Sequence, residues 1–278
     1  MAEHDTLAEV RNHLYLRAEV LWQASLALAI ATLVLTVVSV WAHNPFLLGL
    51  TGIAAVILPI AIVWIRESAS TFLIRGDKCR RLILYADGLG QEIAPSDLAE
   101  VRAWSVGGKL GPAPFSPPYF SSKLAPGVQR LADIVTESAF FSVHLARKLQ
   151  VWLWISFGLL LTCAIFTLYL ADLAAGQSSE GLNLVAKSIA VFIGFLISGD
   201  FAILAKKYGD LRSETRHIYQ RCAQLREDTH PSPEVVRAVI EDYNIALVQC
   251  PPIPSWLYAR YRDQLNEIYR DSHGVMKG

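Results

Sequence analysis

Charged residues are scarce in this chain, and long stretches contain none at all. Only 18% of the 278 residues are charged, whereas 53% are hydrophobic, a balance that excludes an ordinary soluble globular domain. Lysine plus arginine equals aspartate plus glutamate, at 25 each. A formal net charge of zero argues against a strongly basic protein that binds a DNA or RNA polymer, and against an acidic disordered tail.

The chain also lacks the residue spacings of metal sites and of nucleophilic catalysis. Its four cysteines show no CxxC spacing and no histidine partners, so the pattern signals neither a zinc site nor a disulfide framework. No Ser/His/Asp or Cys/His arrangement stands out. The segment GGKLG at 107–111 lacks the GxxxxGK[ST] spacing of a phosphate loop. We therefore predict that the protein is not an enzyme and uses no cofactor or metal.

The first uncharged stretch is long enough for two membrane spans. From 20 to 65 there are 46 residues without Asp, Glu, Lys or Arg, interrupted by Ala-His-Asn-Pro at 42–45. Since one span needs about 20 residues, this stretch predicts spans at 22–42 and 46–65 joined by a tight turn. It is too long for a signal peptide and follows mixed charges, which favours a retained anchor.

Two further spans are predicted later in the chain. Residues 149–171 form a second uncharged stretch of 23 residues, which is sufficient for a third span. The fourth predicted span, 184–205, is weaker because Lys187 lies near its start and Asp200 lies inside it.

The distribution of positive charge predicts that both termini face the cytoplasm. The turn 43–45 and the loop 172–183 contain no Lys or Arg, whereas 66–148 and 206–277 contain 11 each. We therefore predict an all-α membrane protein with four transmembrane helices. Its helical cytosolic extensions form a discontinuous cytosolic domain from two separated segments, 66–148 and 206–278, and residues 1–21 form a cytosolic N-terminal helix.

Helical periodicity continues from the predicted spans into the polar regions. Residues at 131, 134, 138, 141 and 145 recur at alternating steps of three and four, and so do residues at 204, 208, 211, 215, 218, 222 and 225. The two seams are able to pack as an antiparallel stalk within one chain or as a coiled coil between subunits, and both arrangements remain open. Glu137 is expected to pair with Arg130 or with the later seam.

Proline-rich breaks predict shorter helices. A Pro/Gly-rich loop at 95–126 surrounds a predicted helix at 97–104 that Ser96 caps, and further breaks precede helices from Pro233 and over 256–269. Ser232 and Ser255 are the expected caps of the last two helices. We expect three aromatic residues to dock the final helix onto the stalk: Trp256, Tyr258 and Tyr261.

The order of these parts resembles a known family, the SMODS-associated four-transmembrane effectors. The resemblance covers most of the chain and consists of two spans, a cytosolic insert, two further spans and five short motifs: Tyr119-Phe120-Ser121, Gly127, Arg130-Leu131, Glu137-Ser138-Ala139-Phe140-Phe141 and Ile253-Pro254-Ser255-Trp256-Leu257-Tyr258. These effectors are pore-forming proteins of bacterial cyclic-oligonucleotide antiphage signalling, or CBASS. A partner nucleotidyltransferase makes the cyclic nucleotide upon infection.

The resemblance implies a homo-oligomeric effector in the bacterial inner membrane. A cyclic oligonucleotide would bind the cytosolic domain and open a pore, which leads to depolarisation and abortive infection. The alternative is a membrane-anchored interaction protein that conducts nothing.

Two groups of residues are candidates for these roles. A basic cluster and nearby aromatic residues are suited to phosphates and bases, although lipid headgroups and a small core explain them as well: Arg75, Lys78, Arg80, Arg81, Trp104, Tyr119 and Phe120. Asp200 either pairs with Lys206 or Lys207 at the membrane surface, or lines a water path with three polar neighbours: Lys187, Ser188 and Ser198.

Overall fold

The α-helix is the only regular secondary structure in the part of the chain that the structure describes. This computed structural model describes residues 2–41, 45–104, 120, 122–174, 179–198, 201–228 and 231–272, and these contain eight α-helices and no strand. The predicted all-α class is confirmed. The helices are α1 (Ala2–Trp41), α2 (Pro45–Leu89), α3 (Pro95–Trp104), α4 (Val128–Ala174), α5 (Ser179–Ser198), α6 (Phe201–Glu227), α7 (Pro233–Val248) and α8 (Ser255–Ser272).

Three of these helices are long and apolar enough to cross a membrane: α1, α2 and α4. They contain the first three predicted spans, apart from residue 42, which lies outside the described residues. The fourth predicted span, 184–205, is divided between α5 and α6, and residues 199 and 200 lie outside the described residues. Within α5, the apolar helical stretch is the short segment Leu184–Ile193. A fourth crossing therefore stays a prediction.

The chain forms two compact units. Unit 1 contains Met1–Glu19, Ala69–Ala146 and Asp210–Gly278, and we call it the polar unit. Unit 2 contains Val20–Ser68 and Arg147–Gly209, and we call it the apolar unit. Each boundary between them falls inside a helix, in α1, α2, α4 or α6.

Large hydrophobic side chains cover the surface of the apolar unit. Phe46 is 75% exposed and Trp64 is 73% exposed, and none of the most apolar window of α2 is buried. Soluble proteins rarely expose so many large hydrophobic side chains on neighbouring helical turns. In α2, close to the boundary of this unit at Ser68, Arg66 donates to the Ser25 hydroxyl at 3.3 Å and lies 5.2 Å from the centre of the Trp22 ring.

The polar unit has a core of its own, to which seven helices contribute buried side chains. Its largest fully buried side chains come from α1, α2, α3, α4, α7 and α8: Leu7, Val10, Leu14, Leu84, Val101, Leu131, Ile134, Val135, Val239, Ile240 and Leu265. Helix α8 therefore docks through the apolar face that contains Leu257, Leu265 and Tyr269. The expectation for Trp256 was wrong, because this residue is 54% exposed on the other face.

Helices α4 and α6 pack against each other in the polar unit. Arg226 of α6 pairs with Asp133 of α4 at 3.5 Å, and Tyr219 lies 6.1 Å from Phe140 between ring centres. The earlier residue of α4 meets the later residue of α6, so the helices are antiparallel within the chain. The α6 seam is buried as predicted from Leu204 to Cys222, whereas its last member is half-buried.

At the starts of α7 and α3, the predicted serine side chains do not act as caps. Helix α7 begins at Pro233 as predicted, but the Ser232 hydroxyl makes no cap bond and instead donates to Glu234 at 2.5 Å. Helix α3 begins at Pro95, two residues earlier than predicted, so Ser96 lies in its first turn and is not its cap.

Helix α8 is capped from a distant part of the chain. It begins at Ser255, whose backbone N–H and hydroxyl both donate to the Glu19 carboxylate at 3.1 Å. Glu19 is buried in α1. A carboxylate at the start of a helix accepts hydrogen bonds from N–H groups that have no partner within the helix, and its negative charge interacts favourably with the helix dipole. The side chain that caps α8 is thus Glu19, which the sequence pattern did not reveal.

Candidate ligand-binding site

The predicted basic cluster on α2 is divided between two faces of the helix. Arg75 and Lys78 are three residues apart and share one face. Arg80 lies two residues after Lys78, which is roughly 200° around a helix of 3.6 residues per turn. The structure accordingly places Arg75 and Lys78 against α3, and places Arg80 against α7. The cluster is therefore not one continuous cationic surface.

Helix α3 lies on the Arg75 and Lys78 face. Lys78 Nζ donates to Glu100 Oε2 at 2.5 Å and lies 3.4 Å from Asp97 Oδ1. Arg75 Cζ and Lys78 Nζ each lie 5.7 Å from the centre of the Trp104 ring. The hydrogen bond to Glu100 raises the pKa of Lys78, and Asp97 adds to the effect. Lys78 is therefore positively charged at neutral pH, and α3 provides both the anions and the aromatic ring that contact it.

Helix α3 buries fewer side chains than the other short helices of the polar unit, α7 and α8. Its only fully buried side chain is Val101, at 1% exposure, and burying one such side chain contributes about 1.5–3 kcal/mol. The ion pairs of Lys78 are one-third to one-half exposed, so each contributes about 0–1 kcal/mol. A cation over an exposed ring adds about 0.5–1 kcal/mol. Since α3 has only 10 residues, it is not stable as an isolated helix.

Arg80 belongs to a buried polar network. Its guanidinium donates to Asp77 Oδ1 at 3.0 Å and to Asn244 Oδ1 at 2.6 Å, and it lies 4.9 Å from the centre of the Tyr243 ring. Tyr243 shares a hydrogen bond of 2.9 Å with Ser142 of α4. Burial opposes the charge of Arg80, but Tyr15, Asp77 and Tyr243 raise its pKa above the ordinary value. This network joins α2, α4 and α7, so Arg80 has a structural role and does not face solvent.

Arg81 extends the same network to the surface. Its Nε lies 3.4 Å from Asp77 Oδ2, and its NH1 lies 3.7 Å from Glu241 Oε2. Glu241 also accepts a hydrogen bond of 2.9 Å from Tyr85. Burial and this hydrogen bond raise the pKa of Tyr85 to about 12. Asp77 is thus shared between two guanidinium groups, and its Oδ2 has no hydrogen-bond partner among the described residues.

Arg130, the first residue of one predicted motif, anchors the start of α4. It forms two bonds of 3.1 Å with the Asp87 carboxylate and donates to the backbone oxygens of Asp87, Ser122 and Leu124. The expected pair of Arg130 with Glu137 is therefore replaced by a pair with Asp87. Burial is the largest of the causes that raise the pKa of Tyr269, and the negative charge of Glu137 adds to this effect.

The aromatic residues of the Glu137–Phe141 motif have structural contacts as well. Phe140 is buried and lies 5.2 Å from Tyr269 of α8, and Phe141 lies 6.0 Å from Tyr258, between ring centres. Tyr258 thus contacts α4 as expected. Phe120 is only 5% exposed, which corresponds to the core alternative and not to a stacking surface. Tyr119 lies outside the described residues.

The predicted intramembrane polar residues are only partly described. Lys187 is exposed on α5, and the Ser188 hydroxyl donates to the Leu184 carbonyl at 3.0 Å. Asp200 and the side chain of Ser198 lie outside the described residues. The role of these four residues in a water path therefore stays a prediction.

Comparison with known proteins gives no family for this chain. No family model matches it, and no curated protein or solved structure matches it either. Among the residues with described side chains, no group of three or more His, Cys, Asp or Glu is arranged to hold a metal ion. The Arg75 and Lys78 face with α3 combines two partly exposed cations with an aromatic ring, and it is the candidate ligand-binding site.

Proposed function

We propose that this protein is a membrane effector of bacterial antiphage defence that opens a pore when its polar unit binds a cyclic oligonucleotide. The apolar unit would lie in the inner membrane, several copies would assemble around the conducting path, and the polar unit would face the cytoplasm. Depolarisation of the membrane and abortive infection would follow. The family resemblance supports the trigger and the pore.

The observation that carries the membrane part is the division of the chain into an apolar and a polar unit. Helices α1, α2 and α4 are long and apolar enough to span a bilayer, and each contributes residues to both units. The polar unit combines a buried core with a cationic face at Arg75 and Lys78, where a phosphate is able to replace the carboxylates of α3.

Binding energy would open the pore only through differential affinity. A ligand shifts a closed arrangement toward an open one if it binds the open arrangement more tightly. A ligand with equal affinity for both would leave the conductance unchanged. The test must therefore measure ion flux and ligand binding separately.

The direct test is ion flux from liposomes that contain the purified full-length protein. We expect leakage only in the presence of a member of a panel of cyclic di- and trinucleotides. Arg75→Gln should abolish that response, whereas Arg221→Gln on α6 is the matched control, because Arg221 forms an exposed pair with Asp242. If a cyclic nucleotide binds and no leakage follows, the result favours the non-conducting interaction protein.

A further inference from the structure

We propose that the α2 face formed by Arg75 and Lys78 is a binding site for a ligand that combines a phosphate with an aromatic ring, and that α3 occupies this site as an internal substitute until the ligand displaces it. This inference rests on the proposed function, because it names how the same site is regulated. It changes the expected role of Trp104, from a surface that stacks with the ligand to a group that competes with it.

The contacts of α3 match those of a nucleotide in chemistry. The Asp97 and Glu100 carboxylates contact the Lys78 ammonium at 3.4 and 2.5 Å, where phosphate oxygens would bind by the same charge-assisted hydrogen bonds. The indole ring of Trp104 lies 5.7 Å from both cations, where a base would offer a comparable π face. One helix therefore supplies both chemical parts of the ligand.

Helix α3 is also attached in a way that permits release. It buries one side chain, Val101, whereas α7 buries six and shares the Arg80 network with α2. Asp97 and Glu100 are one-third to one-half exposed, so a ligand in solution is able to reach them. Local opening of α3 is thus expected at lower free energy than opening of α7.

A direct consequence is competition between α3 and the ligand. Helix α3 and the ligand cannot contact Lys78 at the same time. Only molecules in which α3 is undocked bind the ligand, so the apparent affinity for the ligand falls as the docked fraction rises. Neutralising the carboxylates removes the competitor and leaves the cations in place. The ligand should then bind more tightly to the variant than to the wild type.

The experiment compares hydrogen exchange of full-length protein in nanodiscs of zwitterionic phosphatidylcholine. In the double variant Asp97→Asn, Glu100→Gln, the amides of α3 should exchange about fivefold faster than in the wild type. The matched control is Glu92→Gln, a neutralisation on the exposed segment before α3, and it should leave α3 unchanged. Unaltered exchange in α7 shows that a variant is folded.

Two nucleotide probes, 3′,3′-cyclic GMP–AMP and cyclic triadenylate, then test the ligand. At least one should accelerate exchange of α3 in the wild type and bind the double variant about fivefold more tightly. Lys78→Met should also release α3, yet it should lose nucleotide binding. The opposite effects of two variants that both free α3 separate competition from simple destabilisation.

Several results would overturn the inference. They are unchanged α3 exchange in the folded double variant, no tighter nucleotide binding by it, or no response to either probe. A lipid arm uses nanodiscs with anionic phosphatidylglycerol and no nucleotide, and release of α3 there would assign the site to lipid headgroups instead. Nucleotide-driven release of α3 without leakage would contradict the proposed pore and leave this inference standing.

Discussion

The Asp77 carboxylate is expected to be the most sensitive charge in the polar unit. It is 2% exposed and contacts Arg80 at 2.9 Å, and Arg80 itself is 8% exposed. Asp77→Asn removes the negative charge and keeps the size of the side chain, so Arg80 remains buried without its counter-charge. Removing one partner of a buried pair costs about 3–5 kcal/mol.

The matched control neutralises an aspartate of an exposed pair. Asp242 contacts Arg221 at 2.7 Å, but both side chains are about half exposed, at 52% and 46%. Asp242→Asn should therefore cost about 0–1 kcal/mol. The two variants change the same chemical group, so the difference between them reports burial and not charge alone.

The assay is thermal unfolding of the full chain in detergent, followed by intrinsic fluorescence at one protein concentration. For a chain of this size 1 kcal/mol shifts the midpoint by about 2–4 °C. Asp77→Asn should thus lower the midpoint by roughly 6–20 °C, and Asp242→Asn by less than about 4 °C. Equal shifts for the two variants would refute the structural role of the Arg80 network.

Two further predictions concern packing and thiol chemistry. A Cβ atom at Gly88 would lie 2.6 Å from a Leu131 side-chain carbon and 3.2 Å from the Leu131 backbone. Gly88→Val should therefore destabilise the polar unit by about 1–3 kcal/mol and lower the unfolding midpoint. A midpoint equal to that of the wild type would contradict this packing. Burial raises the pKa of Cys79 to about 11 and that of Cys222 to about 12. Because a thiol reacts as its thiolate, both should resist maleimide at pH 7.5 until the protein is denatured, and rapid labelling of either in folded protein would show that its site is open.

The helices were predictable because their causes are local. Uncharged runs of about 20 residues give spans, and steps of three and four give the buried seam from Leu204 to Cys222. Proline at 233 marked the start of α7 for a similar reason, since its fixed φ suits the first helical turn. In each case the residues that decide the structure are neighbours in sequence.

The candidate site was only partly predictable, because its contacts join distant residues. Arg75, Lys78 and Trp104 were selected as candidates from the sequence, and the structure brings them together, but their role in ligand binding stays a prediction. Glu100, which accepts from Lys78, is 22 residues away, and Asn244, which accepts from Arg80, is 164 residues away, so periodicity along α2 gave no sign of either contact. Residue type alone likewise did not reveal which face of α8 packs, and Trp256 was therefore misplaced.

We propose that this chain crosses a bilayer with its polar unit on the cytoplasmic side. The most direct measurement labels single cysteines in a cysteine-free background, with a membrane-impermeant maleimide applied to intact spheroplasts. Glu92→Cys, next to α3, should stay unlabelled until the cells are lysed, whereas Gly176→Cys, in the predicted outer loop, should be labelled at once. Labelling of Glu92→Cys in intact cells would contradict the cytoplasmic location of the polar unit.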